Sequence, residues 1–286
     1  MNFLFGDEQR LFQRSVRDVL EKESAPGRDG PGVWSALAEL GVLGMLVPEE
    51  LGGQGKDETD IVLALEEAGR AALLEPVVET AVIGPAMVLR AGPSFAAEWL
   101  GPVAGGEVTV DRDRYDGSWF VRRVSGGSAI TVPASATPDA IDLAFDRGAF
   151  GTAAVLCGIA DRVIEMAATY AKQRHQFGKP IGSFQAVKHL LADALLRLEF
   201  ARPAVCRAAW SLARESPDAR RDVSMAKALA SDAAVEACRS ALQVHGAIGY
   251  THEHELHRWL NAGFPLAHAW GTAAAHRDRV ARAVLG

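Results

Sequence analysis

Two short stretches carry residues whose types and spacing could do chemistry. RHQFGKPIGSFQAVKH, residues 174–189, brings Arg174, Gln176 and the pair Phe177–Gly178 together just past a long helical run. LQVHGAIGY, residues 242–250, closes another helical run with Gln243 and opens into Gly246 and Gly249. A guanidinium is a permanently charged, planar fork of donors that matches a phosphate. Glycine has no Cβ, so a ligand can come directly against its backbone. Either loop alone reads as a helix terminator. Two of them in one chain point to a phosphate-bearing ligand.

Rival chemistries have less behind them. In THEHELH, residues 251–257, His254 and His257 are three apart, and Glu253 and His257 four apart, so each pair could share a helical face. A di-iron bundle needs Glu-x-x-His on each of two helices, and the chain contains no Glu-x-x-His. The reading is a solvated helix start and no metal. GGQG, residues 52–55, lacks the dinucleotide fingerprint and reads as a turn; no G-x-S-x-G elbow is present either. Cys157, Cys206 and Cys238 are odd in number, widely spaced and set in helical patterns, as expected of buried thiols in a reducing compartment.

The formal net charge of −6, with no Lys/Arg block, gives the wrong field for a nucleic-acid backbone. The N-terminal MNFLFGDEQR lacks the cationic start and apolar run of a signal peptide, and no apolar stretch approaches the ~20 residues of a membrane span. A cytoplasmic protein with no membrane partner is expected.

The elements that must position the two loops are mostly helical. Residues 6–24 form an amphipathic pattern with Leu11, Phe12, Ser15, Val16, Val19 and Leu20 on one face. A Gly/Pro loop, Ala25 to Gly32, separates it from a helix over Trp34–Leu40; further helices are expected over 57–72 and 75–91. From Gly92 to about Asp146 the fragments GEVTV, SWFVRRV and SAITVPA alternate between turns and read as a small, few-stranded sheet. Helices then return over 148–173, from a Ser183 cap with the stripe Val187, Leu190, Leu191, Ala194, Leu195 and Leu198, over 220–244, and over 254–285 with a break at Gly263–Pro265. The organisation expected is an N-terminal helical domain (1–92), a shortened middle β segment (93–147) and a C-terminal four-helix bundle (148–286).

These same residues resemble the acyl-CoA dehydrogenase family over most of the chain. DEQRLFQRSVRDVLEKE, WSALAELGVLGMLVPEELGGQG and LALEEAGRA resemble its N-terminal helical domain. RHQFGKPIGSFQAVKHLLAD resembles its Arg-x-x-Phe-Gly-x-x-Ile segment. QVHGAIGYTHEHELHRW resembles its Gln-x-x-Gly-Gly-x-Gly segment, with Ala247 at the second glycine. The resemblance implies a mostly α, acyl-CoA dehydrogenase-like fold and an FAD enzyme that desaturates an acyl-CoA thioester, passing electrons to an electron-transfer flavoprotein or similar acceptor. In that family a glutamate takes the α-proton and the flavin accepts the β-hydride. Carried over, Arg174, Gln176 and Gln243 are polar contacts to FAD, Phe177 packs on it, and Gly178, Gly246 and Gly249 give backbone approach. In relatives these loops reach the FAD seated mainly in a neighbouring subunit.

The chain also departs from the family. The β segment is short and lacks the Thr-Glu-Pro stretch, and nothing marks Trp119 as a flavin-stacking aromatic. Where relatives commonly carry the glutamate, in a Tyr-Glu-Gly-Thr segment, this chain has Trp270 before Gly271–Thr272. The alternative family position, counted back from Arg174, falls on Gly148, with Asp146 two residues away as a weak candidate base. The economical expectation is a non-catalytic subunit of a heteromeric acyl-CoA dehydrogenase, a heterotetramer with two copies of each chain. A full-length partner subunit would supply the base and most of the FAD site. The resemblance to split enzymes of steroid catabolism suggests a steroid-derived thioester. Two alternatives stand beside it: a homo-oligomeric enzyme using Asp146 or another base, and a flavin-free scaffold or binding protein of the same fold.

Overall fold

The computed structural model describes residues 5–23, 32–73, 75–113 and 118–286. The expected Ala25–Gly32 loop therefore lies outside the described residues up to 31, and Gly32 already opens a helix.

The N-terminal part comprises α1 (Asp7–Glu23), α2 (Gly32–Glu39), α3 (Glu58–Arg70), α4 (Gly84–Arg90) and α5 (Pro93–Ala104). Helix α3 has the clearest start. Asp57 accepts from Thr59 N at 2.9 Å while Asp60 reaches back to Asp57 N at 3.4 Å, a reciprocal cap. A wider π turn, Val78–Ile83, leads into α4 in place of the uninterrupted helix expected over 75–91. In α1, Val16 and Leu20 are buried, but Leu11 lies out of the expected face, in solvent.

The middle sheet is antiparallel and ordered β1 (Val108–Arg112), β2 (Trp119–Arg123), β3 (Ile130–Thr131). Val110 faces Val121, and Arg112 faces Trp119. Val108, Val110, Val121 and Trp119 point into a second core shared with α4 and α5. The strands thus fill only the centre of the 93–147 segment, flanked by α5 and by the start of the next helix.

The C-terminal bundle is α6 (Pro138–Gln173), α7 (Gln185–Ala213), α8 (Ala219–His245), α9 (Leu256–His268) and α10 (Ala273–Leu285). Helix α6 begins ten residues before the expected Gly148. Extended Thr137 precedes Pro138, which needs no helical donor in the first turn, and Ala140 and Ala144 then pack under the sheet. At 36 residues it runs about 54 Å, and its most apolar stretch is 83% buried. Gly69 of α3 and Gly158 of α6 let these helices cross at backbone distance: a Cβ on Gly158 would lie 1.8 Å from Glu66 O, and one on Gly69 would lie 2.0 Å from Val155 O.

Three further expectations are corrected. Ser183 does not cap α7; its hydroxyl donates to Pro180 O at 2.7 Å, and Phe184 takes the cap position without a side-chain bond. Leu195 leaves the buried stripe and joins Leu196 and Phe200 on an exposed face of α7. Helix α9 runs through Pro265, whose missing donor would face the carbonyl of solvent-exposed Asn261; the break comes later, at 269–272. Cys157 and Cys238 are buried and Cys206 half-buried, all free; burial pushes Cys206 to about 11 and Cys238 to about 12.

Candidate functional site

The chemistry-bearing residues separate into an outer pair of loops and an inner cleft. The outer pair starts where α6 stops. Arg174 turns extended (φ −76°, ψ 123°), and its N–H closes the helix on Tyr170 O at 2.8 Å. The chain then folds into a hairpin of β4 (His175–Gln176) and β5 (Lys179–Pro180), with His175 opposite Pro180. Its two-residue turn has Phe177 at φ +53° and Gly178 at φ +77°, the left-handed pair that suits the twist of a tight hairpin. Glycine does this freely, whereas a residue with a Cβ such as Phe177 is held there at a cost of about 1–2 kcal/mol. That residue is also 89% exposed, its ring meeting Phe184 only edge-on at 6.2 Å. Arg174 and Gln176 are exposed and make no side-chain hydrogen bond or ion pair among the described residues.

The second loop follows α8. Gly246 (φ +63°, ψ −139°) turns the chain into a 3-10 helix, Gly246–Tyr250. A Cβ on Gly246 or Gly178 would meet nothing within 4 Å, so both backbones face open space. Gly249 differs. It is buried, and a Cβ there would press on His245 and Leu242 at 3.0–3.1 Å, so it serves packing within the chain. Gln243 is exposed and makes no side-chain hydrogen bond among the described residues; Tyr250 is 76% exposed.

Two residues that sequence reasoning missed tie the loops together. Tyr170, one turn before Arg174, stacks on His245 at 4.5 Å, and His245 meets His254 at 4.4 Å. His245 donates Nδ1–H to Ala241 O at 2.7 Å, and burial holds its pKa below the usual histidine range. A signal existed, since both residues sit within four positions of singled-out ones. His254 is drawn into this stack, while His257 pairs with His252 at 4.8 Å. Among the described residues no group of three His, Cys, Asp or Glu is arranged to hold a metal.

The inner cleft lies between the sheet and the bundle. Trp270, in the α9–α10 turn, stacks nearly parallel to Trp119 (6.1 Å, 7°) and takes Phe145 at its edge (6.5 Å, 81°). A Cβ on Gly148 would come within 2.4 Å of the Trp270 ring, so the indole lies flat on the α6 backbone there. Trp270 and Val78 are the partly buried hydrophobics that touch both cores. Asp146 faces away, gripped by Arg279 at 2.8 Å and Arg220 at 3.3 Å. A separate cavity of about 350 Å³ opens between the π turn, α6 and α9, lined by Val77, Val155 and Leu266 and by Glu79; Trp270 does not line it. Burial raises the Glu79 pKa, reinforced by nearby Asp111.

Comparison with known proteins bears on both regions. The profile of the acyl-CoA dehydrogenase C-terminal domain matches residues 139–285, and that of the N-terminal domain matches residues 6–107. The probable acyl-CoA dehydrogenase YngJ of Bacillus subtilis is 26% identical over 380 aligned positions that cover all of both chains. The alignment is far longer than the 286 residues of this chain, so a large block of the relative has no counterpart here. Among solved structures, the ChsE4–ChsE5 complex of Mycobacterium tuberculosis superposes with a TM-score of 0.85 at 22% identity, covering 100% of this chain and 99% of that one. The steroid ACAD Tcur3481–Tcur3483 gives 0.80 at 21%, covering 98% of each. At these identities the structural likeness shows the fold.

Proposed function

The chain belongs to the acyl-CoA dehydrogenase family, and we propose that it acts as the short, non-catalytic subunit of a heteromeric FAD-dependent acyl-CoA dehydrogenase. The single observation that carries this reading is the contact of Trp270 with Gly148. These are the two positions where the family resemblance looks for a glutamate. One is an indole and the other has no side chain, and the first is packed on the second. A general base must reach the proton it removes. Asp146 is engaged by two guanidiniums and points into an ion-pair network. That speaks against the homo-oligomeric alternative built on it.

The outer loops fit the FAD that the family implies. Arg174 is a free guanidinium suited to a diphosphate, Gln176 and Gln243 are free amides, and the Gly178 and Gly246 backbones lie open to approach. Phe177 offers a strained, exposed ring that its own chain leaves largely uncovered. When bound, the flavin supplies the hydride acceptor of the desaturation. This chain's part is to bind and orient it from across a subunit interface. Gly249 joins this set only through the shape it gives the loop. Exposed Leu195, Leu196 and Phe200 on α7 supply apolar surface for a partner. The partner is a full-length acyl-CoA dehydrogenase subunit, in a heterotetramer with two copies of each chain. The substrate is an acyl-CoA, steroid-derived by analogy with the steroid ACAD, and the acceptor is an electron-transfer flavoprotein or similar. The setting is the cytoplasm.

Co-expression with a dehydrogenase encoded beside it tests this. The expected product is a yellow complex with a single flavin per pair of subunits, whereas this chain alone is colourless and poorly soluble. Arg174→Ala weakens flavin retention in the complex without unfolding the bundle. A chain that purifies yellow alone and oxidises acyl-CoA overturns the proposal. A stable complex without flavin, indifferent to Arg174→Ala, supports the scaffold alternative instead.

A further inference from the structure

The α9–α10 turn puts a bulky side chain into a conformation it resists. Trp270 (φ +56°) and Gly271 (φ +97°) are successive left-handed residues, and only the second is glycine. Such strain persists where surrounding contacts over-determine the backbone. Here three carbonyls of the segment are held by two buried side chains. Lys227 of α8, 0% exposed, donates from Nζ to Ala267 O at 3.1 Å and Gly271 O at 3.4 Å, and to Ser231 Oγ at 2.9 Å. His276 of α10, also 0% exposed, donates from Nε2 to Trp270 O at 2.7 Å, which fixes the tautomer and leaves Nδ1 without a partner.

This arrangement is expensive. Among the described residues no carboxylate pairs with Lys227, and burial alone pushes its pKa down to about 8. A buried unpaired ammonium costs free energy that an apolar side chain of similar shape would not. Burial likewise pushes His276 down to about 4, opposed by its hydrogen bond to the Trp270 carbonyl and by Asp146, with Lys227 and Arg279 adding to the effect. What the cost maintains is the position of the turn. The lysine cation satisfies the Ala267 carbonyl in the last turn of α9 and the Gly271 carbonyl in the turn that follows, and the histidine fixes the carbonyl of Trp270 itself.

We propose that Lys227 and His276 are positioning residues that hold Trp270 as a fixed plug over Gly148, so that the indole occupies the space beside the α6 backbone at that position. The plug does not depend on the partner or on flavin, and it goes beyond the absence of a base: the space at Gly148 is filled by a side chain that two others pin in place. Release of the turn lets the indole leave Gly148.

The test uses the full chain labelled with 5-fluorotryptophan and followed by 19F NMR. Of the six tryptophans, Trp270 is assigned by Trp270→Phe. The expected result is one sharp, solvent-shielded Trp270 signal at neutral pH that shifts with a midpoint near pH 8 as Lys227 loses its proton. Lys227→Met abolishes that titration and gives a broadened, solvent-exposed signal. His276→Leu also exposes the signal, while His276→Gln, which restores a donor at the same reach, keeps it shielded. A purely structural role for either residue would lower the melting temperature without producing the titration or the glutamine rescue. If Lys227→Met does not fold, the titration of the unchanged chain and the histidine pair still decide. A Trp270 signal that neither titrates nor changes in folded His276→Leu overturns the proposal.

Discussion

The two regions that the sequence nominates for chemistry treat their polar groups in opposite ways. In the outer loops, Arg174, Gln176 and Gln243 are exposed and unpaired, and the strained Phe177 faces solvent. In the inner cleft, Asp146 is doubly paired, Trp270 is stacked and its backbone is pinned, and Lys227 and His276 are buried on carbonyls. A group kept free, with a backbone cost and no return from its own chain, is suited to a contact with another molecule. A group whose capacity is spent inside its own fold serves that fold. This contrast supports the proposal that the loops meet a partner and that the cleft is structural.

Substitutions that break one side of the contrast should leave the other intact. The largest expected effect is Trp119→Ala. Its side chain is fully buried and stacked on Trp270, and its loss costs about 3–5 kcal/mol in chemical unfolding. Gly148→Ala comes next. Helix propensity favours alanine by about 1 kcal/mol, but the new Cβ meets an aromatic ring at 2.4 Å, and overpacking costs about 1–3 kcal/mol. A net loss of stability is expected, relieved when Trp270→Ala is added; additive effects of the two would break the proposed plug of Trp270 over Gly148.

Smaller still is a pH effect at the crossing of α3 and α6. Burial raises Glu66 from 4.5 to about 7, with Arg202 opposing the shift. The folded state therefore holds a proton that the unfolded state has released, so stability falls as pH rises from about 4.5 through 7. Glu66→Gln should flatten that slope in thermal melts taken across the window. The smallest stability effect belongs to the outer loops. Phe177→Gly relieves a left-handed φ and should leave the melting temperature unchanged or slightly higher, while weakening flavin retention in the complex. A chain destabilised by that change would mean that the hairpin tip serves its own fold, and the comparison between the regions would fail.

The helical N-terminal part, the small sheet and the bundle were legible because their signals are local. Apolar residues recur at helical spacing in the bundle, and short alternating runs mark the strands. The two loops were legible for the same reason, each being a matter of residue type at a known spacing. Errors arose in details that residue type and spacing leave open. Ser183 found a carbonyl to donate to, Pro265 kept its helix because the affected carbonyl is on the solvent side, and Leu195 lost its place in the core to Ala194 and Leu198.

The sequence by itself determined that this chain carries cationic, glycine-lined helix ends and that Trp270 and Gly148 stand where the family resemblance looks for a glutamate, because those facts are identities at positions. Only the tertiary structure decided that Trp270 lies on Gly148, that Lys227, with no carboxylate partner among the described residues, is sealed behind the turn, and that Arg174 and Phe177 remain uncovered. Each depends on which helices cross and how closely. Such contacts join residues distant along the chain, and their geometry is set by packing the whole core rather than by any local run of residues.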